Sequence, residues 1–341
     1  MLYFLSDYTE GCHPKVLERL SETNLVSQPG YGEDIWCRAA AEKLRAACAM
    51  PEAEVFFLSG GTQANLVVIS ALLRRHEAVV AAETGHINVH EAGAIEFTGH
   101  RVIALPAHEG KLDAAELEAH MAAFYADGTH VHMPFPGMVY ISQPTELGTL
   151  YSRTELTALY ACCRRWDMPL FIDGARLGYG LMSPACDMTL PELAALCDVF
   201  YIGGTKVGAL CGEAVVFRPG VCPRGFVTMT KQQGAMLAKG RLLGVQFDAL
   251  FTDGLYWEIS RRAVEQAMRL KAAFVEKGCP LYADSPTNQQ FVILTAEQKA
   301  RLEKEAAFSV WAPLPDGRFA VRFVTSWATR PEDIDALRAL L

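Results

Sequence analysis

An α/β fold is predicted for this chain: a mostly parallel sheet covered by helices on both faces, followed by a smaller α+β unit. Three observations predict it. Short apolar runs alternate with amphipathic stretches over most of the chain. Beyond residue 240 that alternation gives way to one long amphipathic helix and a few strands. With 341 residues and 51% hydrophobic composition, the chain can bury a large core and exceeds the usual size of one compact unit.

The strands are read in order from the runs Glu54-Val-Phe-Phe-Leu58, Ala78-Val-Val-Ala-Ala82, His100-Arg-Val-Ile-Ala-Leu105, Val139-Tyr-Ile-Ser142, Leu170-Phe-Ile-Asp173, Val199-Phe-Tyr-Ile-Gly203 and Glu213-Ala-Val-Val-Phe217. Between them, helical spacing predicts helices over 64–75, 113–125, 152–166 and 190–196. Strand–helix alternation of this kind means parallel strands joined by crossovers. In the last hundred or so residues, helical spacing predicts a long helix over 255–277, strands over 290–294 and 318–324, and a final helix from Pro331. Leu314-Pro-Asp-Gly-Arg318 carries an Asp-Gly turn signal of the hairpin kind. No internal repeat, low-complexity tract or long linker interrupts this order.

Composition excludes several classes of function. A net charge of −8 without a long Lys/Arg cluster argues against nucleic acid, whose phosphates need a basic footprint. The start, Met-Leu-Tyr-Phe-Leu-Ser-Asp, lacks a basic flank and turns polar early, so no secretory signal is expected. No apolar run approaches the ~20 residues of a membrane-spanning helix, and a cytoplasmic protein is expected. The 10 cysteines are scattered through helix and strand interiors without a Cys-x-x-Cys and are expected to be reduced core residues. His86 and His90 have helical spacing, but no third zinc ligand accompanies them, so no metal is expected.

The chemistry concentrates at predicted strand ends. Lys206 lies on a glycine-rich turn, Gly203-Gly-Thr-Lys206-Val-Gly, between two apolar strands, where an ammonium is expensive unless it has a task. Pro169-Leu-Phe-Ile-Asp173-Gly-Ala-Arg176 delivers Asp173 at a strand's carboxyl end, with Arg176 shortly beyond. A buried amine and a buried acid in one pocket suit pyridoxal phosphate: lysine forms the Schiff base and aspartate keeps the pyridine nitrogen protonated. The plain alternative is a structural ion pair at the sheet rim. Ser59-Gly60-Gly61-Thr62 runs from a strand into a helix and offers backbone N–H groups, a dipole and a hydroxyl to an anion. His86, in Thr84-Gly-His86-Ile-Asn-Val-His-Glu91, follows a strand and can lie on a ring or move protons. Neither a Walker loop nor a complete dinucleotide fingerprint is present: Gly203-Gly-Thr-Lys206 has the wrong order, and Gly178-Tyr-Gly180 lacks its third glycine.

In shared order, these segments resemble the threonine aldolase and β-eliminating lyase family of fold-type I pyridoxal-phosphate enzymes. Ser6-Asp7, Tyr31-Gly-Glu-Asp34 and Arg322-Phe-Val-Thr325 extend the resemblance over nearly the whole chain. It implies a fold-type I transferase-like architecture with an N-terminal arm over 1–25 that contributes to the site, a cofactor-binding domain over 26–240 and a small domain over 241–341. It also implies Lys206 as the Schiff-base lysine, Asp173 as the partner of the ring nitrogen and His86 as the stacking histidine. By the same resemblance Gly61, Thr62 and Thr205 contact the phosphate, and Ser6, Arg176 and Arg322 hold the substrate's α-carboxylate. Tyr31 is then a substrate-binding residue contributed at the interface, and the protein a homodimer or homotetramer with shared sites. The implied reaction is retro-aldol cleavage of a β-hydroxy-α-amino acid to glycine and an aldehyde. β-Elimination, transamination and an inactive cofactor-binding protein are the alternatives.

Two segments depart from the family pattern. Where the family has Asn-Thr-His, this chain reads Gln143-Pro-Thr-Glu-Leu-Gly-Thr149, so the second histidine is missing and the acceptor of the β-hydroxyl proton is left between His86, a water and an unassigned group. Where the family has a phosphate-binding arginine in Met-Arg-Gln-Ala-Gly, the chain reads Met236-Leu-Ala-Lys239-Gly-Arg241, leaving Lys239 or Arg241 for that role.

Overall fold

Each apolar run of the first two-thirds becomes a strand of one seven-stranded sheet in a computed structural model that describes residues 1–341. Its strands are β1 (Glu54–Leu58), β2 (Glu77–Ala82), β3 (Val102–Leu105), β4 (Phe135–Ser142), β5 (Leu170–Asp173), β6 (Val199–Gly203) and β7 (Glu213–Phe217). They lie in the order β1-β7-β6-β5-β4-β2-β3. Only β7 runs against the others, pairing antiparallel with both β1 and β6. The expected strands are all present, and β4 starts four residues earlier than expected because Phe135 to Met138 also pair with β2.

The period-2 pattern divides the core in two. Val79, Ala81, Val199 and Tyr201 pack on one face of the sheet, while Val80, Ala82, Phe200 and Ile202 pack on the other. The helix Gly61–Leu72 closes the first face with Ala64, Val67, Val68 and Ile69. The helix Arg153–Arg165 covers the second with Leu156, Leu159 and two cysteines, and starts on a Ser152/Glu155 capping box. All ten cysteines are free thiols.

The C-terminal part is an antiparallel sheet of β8 (Leu281–Ala283), β9 (Gln289–Leu294), β10 (Ser309–Pro313) and β11 (Phe319–Val324), ordered β10-β11-β9-β8. The Asp-Gly turn joins β10 to β11, with Leu314 N–H donating to Arg318 O at 2.8 Å. The 22-residue helix Leu255–Glu276 supplies Leu270 and Phe274 to this sheet's own core. The chain's start is anchored there as well. Leu2–Tyr3 pairs in parallel with Ala306–Ala307, and Phe4 is fully buried against the same core. Ser6 to Tyr8 then pass from the small sheet toward the large one, so three separate stretches of sequence converge beside the carboxyl ends of β4, β5 and β6.

Convergence there follows from strand direction. Parallel strands end on one edge of the sheet, where the crossovers leave a crevice. β7 runs the other way, so its first residue rather than its last reaches that edge: Glu213 pairs with Leu58 and Gly203, the ends of β1 and β6. Gly174 keeps the edge closed. A Cβ on it would lie 1.9 Å from the carbonyl oxygen of Tyr201, so only glycine lets the turn after Asp173 pack against β6.

Candidate active site

The edge encloses a cavity of about 250 Å³. Its walls come from the loops after β1 (Ser59 to Thr62), β2 (His86), β4 (Ser142 to Glu146), β5 (Asp173 to Arg176) and β6 (Thr205, Lys206), with Tyr8 from the N-terminal segment. Lys206 and Asp173 therefore share one cavity, as their positions at two strand ends predict. Gly61, Thr62, His86, Arg176 and Thr205 line the same space.

At its floor, Asp173 is buried and heavily hydrogen-bonded. Oδ2 accepts from the Tyr140 hydroxyl at 2.6 Å and the Asn65 amide at 3.1 Å, and Oδ1 accepts from the Ala175 N–H at 2.9 Å. Burial alone raises its pKa, but the neighbouring His86 charge and the Tyr140 and Tyr201 hydroxyls outweigh it and hold the carboxyl below its ordinary range. It is a fixed anion at neutral pH. Burial, with the Arg176 charge, pulls Lys206 down and favours the neutral, nucleophilic amine; Asp7, Asp173 and Glu213 pull the other way without prevailing.

His86 enters where a short helical turn, His86–Val89, starts beside the cavity. Its Nδ1 pairs with Glu91 Oε1 at 2.7 Å, and that oxygen also accepts from Asn65 at 2.6 Å. Burial works against the imidazolium, but the Glu91 hydrogen bond and the Asp173 charge prevail and raise its pKa. Asp173, Asn65, Glu91 and His86 thus form one continuous network. His86, Glu91 and Asp173 also stand close enough to share a cation, but hydrogen bonds within this network already account for their approach.

The loop Ser59 to Thr62 leads into a twelve-residue helix whose first turn receives no side-chain cap. Ser59 is held instead by Gln63, whose Oε1 accepts from the Ser59 N–H at 3.1 Å and hydroxyl at 2.8 Å. A Cβ at Gly61 would meet the Tyr201 hydroxyl at 3.0 Å, so glycine keeps this corner open. The result is a free helix N-terminus, exposed N–H groups and the Thr62 hydroxyl at one end of the cavity.

Arg176 is committed on one side. Nε donates to Asp7 Oδ2 at 2.7 Å and Nη2 to Asp7 Oδ1 at 3.0 Å, while Asn288 donates to Oδ2 at 2.9 Å. Asp7 is fully buried; burial raises its carboxyl pKa, but the Arg176 and Lys206 charges overcome that and lower it. This pair ties the N-terminal segment, the large sheet and the small sheet together. Removing one partner of a buried pair costs about 3–5 kcal/mol, so Asp7→Ala is expected to lower the unfolding free energy by about that much in urea titrations. Because the folded pKa lies below the ordinary value of 3.8, the contribution is present above that value and lost as pH falls through the folded pKa. The stability gap between native protein and variant should narrow accordingly under acid.

Other expected residues stand outside the cavity wall. Ser6 is buried next to Asp7. Arg322, on β11, donates to Gln289 at 3.2 Å and to the Ser309 hydroxyl at 3.4 Å, and its guanidinium lies 5.6 Å from the Trp311 ring centre. Its buried Nε has no partner in the chain. Tyr31 is half exposed with a left-handed backbone (φ 59°), and lines a different cleft of about 400 Å³. Arg241 is spent on the carbonyls of Thr23 and Val26 and on the Trp36 ring, 4.3 Å away. Lys239 is exposed and lines a separate cleft.

Two cavity carboxylates escaped sequence reasoning. Glu213 accepts from the Gly204 N–H at 3.0 Å, and burial pushes its pKa up to about 8. Glu146, in the loop after β4, accepts from the Ser142 hydroxyl at 2.6 Å and the His86 N–H at 2.9 Å. Glu213 reads as an ordinary strand start, and Glu146 lies in a segment notable only for a histidine it lacks.

A family model described as beta-eliminating lyase matches residues 4–295. The chain belongs to the β-eliminating lyase family. A low-specificity L-threonine aldolase from Pseudomonas aeruginosa is 30% identical over 341 residues, covering 99% of this chain and 95% of that protein. A solved threonine aldolase from Leishmania major superposes with a TM-score of 0.95 at 40% identity, covering 100% of this chain and 99% of that one. A Thermus thermophilus aspartate aminotransferase, at 15% identity and a TM-score of 0.74, covers 100% of this chain and 92% of its own and shares the fold alone. The fold-type I expectation and the family resemblance are both borne out. No helix of this β-eliminating lyase family member is long and apolar enough to cross a membrane.

Proposed function

We propose that this protein is a pyridoxal-phosphate-dependent carbon–carbon lyase that cleaves β-hydroxy-α-amino acids of the L-threonine and L-allo-threonine type to glycine and an aldehyde. The observation that carries it is the opening of the Lys206 amine, the Asp173 carboxylate and an uncapped helix N-terminus onto one cavity, in a chain similar from end to end to threonine aldolases.

The residues present fit that coenzyme. Lys206, held toward its neutral form, would carry it; Asp173, held ionised, would keep the ring nitrogen protonated; Gly61, Thr62 and Thr205 would receive the phosphate, and His86 would face the ring. When bound, pyridoxal phosphate supplies an electron sink for the pair released at Cα. The chain's own residues do the rest. Arg176, through the N–H groups Asp7 leaves free, fixes the substrate carboxylate and so chooses which Cα bond breaks, with Arg322 and Ser6 supporting it from outside the cavity wall. Lys206 takes up a proton from solvent and passes it to Cα to complete glycine. The buried floor of Tyr140, Asn65 and Tyr201 keeps water from the Asp173 carboxylate. In the same proposal the protein is a cytoplasmic homodimer or homotetramer with shared sites, with Tyr31 at the interface. Lys239, the freer of the two candidate cations, takes the phosphate role there.

Incubation of purified protein and pyridoxal phosphate with L-threonine, L-allo-threonine and S-substituted cysteines tests the reaction. Glycine plus acetaldehyde is expected. Pyruvate plus ammonia from the cysteines, without glycine from threonine, would replace the aldolase with a β-eliminating lyase; no product from any of them would sink both.

A further inference from the structure

The loop after β4 contains a carboxylate that the loop's own restraints do not use. Residues Gln143 to Tyr151 are pinned on every side. Gln143 spans the loop, donating to Tyr151 O at 3.2 Å and accepting from the Tyr151 N–H at 2.9 Å. The Thr145 N–H donates to Thr149 O at 2.9 Å, and the two threonine hydroxyls are 2.6 Å apart. Gly148 O accepts from Ser285 and Thr287, in the connection between β8 and β9, at 3.2 and 3.1 Å. None of these bonds uses Glu146. No basic residue pairs with it, and its side chain turns into the cavity, which it lines with Lys206, Asp173 and His86.

Both hydrogen bonds that other residues donate to the Glu146 carboxyl fall on Oε1, from the Ser142 hydroxyl and the His86 N–H. The pair orients the carboxyl through Oε1, and no other residue donates to Oε2. His86 is poorly suited to take a proton from substrate. Its Nδ1 is held by Glu91, and the surrounding carboxylates favour the protonated ring. Burial lifts the Glu146 pKa above the usual carboxylate range, with Asp173 adding to the effect and the Ser142 bond and His86 opposing it, which makes it a stronger base than a solvated glutamate.

We infer that Glu146 is the general base of the cleavage, taking the proton from the substrate's β-hydroxyl through Oε2. This rests on the retro-aldol reaction proposed above. The Glu146 carboxylate accepts the hydroxyl proton, the O–H pair becomes the second bond of the aldehyde C=O, and the Cα–Cβ pair stays with Cα. Glu146 then returns its proton to solvent as the aldehyde leaves. Its place at the departure from the family's Asn-Thr-His segment means that a carboxylate does here what an imidazole is placed to do there. A carboxylate that must meet the hydroxyl also restricts the substrates to those with a β-hydroxyl within its reach.

The test separates chemistry at Cβ from chemistry at Cα. Glycine has no β-hydroxyl, so exchange of its α-proton with deuterated solvent, followed by NMR, needs Lys206 but not Glu146. Glu146→Gln is expected to lose about 10²–10³-fold in kcat for L-threonine cleavage, the scale of a general base, while its glycine exchange stays within about 3-fold of the native rate and its Tm is unchanged. Native-like cleavage by the variant would overturn the assignment. Equal losses in cleavage and exchange would also overturn it, reducing Glu146 to a residue that keeps the cavity in shape. If Glu146→Gln does not fold, Glu146→Asp serves: a carboxyl withdrawn by one methylene should lose about 10-fold or more in cleavage alone, and undiminished cleavage refutes the role. Native protein that exchanges glycine but cleaves no β-hydroxy-amino acid would sink the reaction itself along with its base.

Discussion

Replacement of Lys206 by alanine should abolish turnover while leaving the fold intact. General acid–base catalysis alone is worth about 10²–10⁴-fold, and Lys206 is asked to carry the coenzyme covalently as well, so the loss should reach or exceed the upper end of that range. The fold should tolerate the change because the ammonium is not a structural partner: the one hydrogen bond at this residue is to its backbone carbonyl, from the Tyr179 hydroxyl, and alanine keeps that carbonyl. Burial disfavours the charged amine, so its removal should raise or hold Tm. The checks are a steady-state assay, a thermal melt, and borohydride reduction of the native protein with pyridoxal phosphate followed by mass mapping of the modified peptide. A label on any other lysine, or normal activity in the alanine variant, would transfer the role elsewhere.

The second large effect is expected at Asp173. Asparagine retains the shape and an acceptor for the Tyr140 hydroxyl and the Asn65 amide, removes the charge, and loses the acceptor that the Ala175 N–H uses. Loss of one preorganised charge-stabilising group costs about 10²–10³-fold in kcat, and a decrease of that size is expected on L-threonine, with a Tm lowered by the one buried hydrogen bond lost at the Ala175 N–H. A readout independent of turnover accompanies it. The Asp173 charge helps hold the His86 imidazole in its protonated form, so the His86 resonance should titrate at lower pH in the variant. Unchanged kcat and an unmoved His86 titration would mean that Asp173 is only a structural acid.

The strands of the large sheet, the long helix and the Asp-Gly hairpin were legible because burial on a pleated or helical surface imposes a period that the residues must obey. Lys206 and Asp173 were legible for the opposite reason. A charge at the end of an apolar run breaks the pattern, and a parallel sheet collects such ends along one edge. Asn65 and Glu91 stood inside segments already singled out, yet their link from Asp173 to His86 depends on side-chain directions that no spacing records. Asp7 is similar. It adjoins Ser6 in sequence, but its pairing with Arg176 spans 169 residues and exists only because Leu2–Tyr3 is tied to the small sheet.

From its order of residues alone this chain determined which strands exist, that most are parallel, and that an amine, an acid, an imidazole and a phosphate-sized loop would gather at their ends. Tertiary structure alone decided what surrounds them. Periodicity is blind to strand direction, so only the antiparallel course of β7 puts Glu213 at the edge that bears the cavity. Loop conformation is set by contacts far away in sequence, so only the pinning of residues 143–151 against the connection between β8 and β9 turns Glu146 toward the cavity.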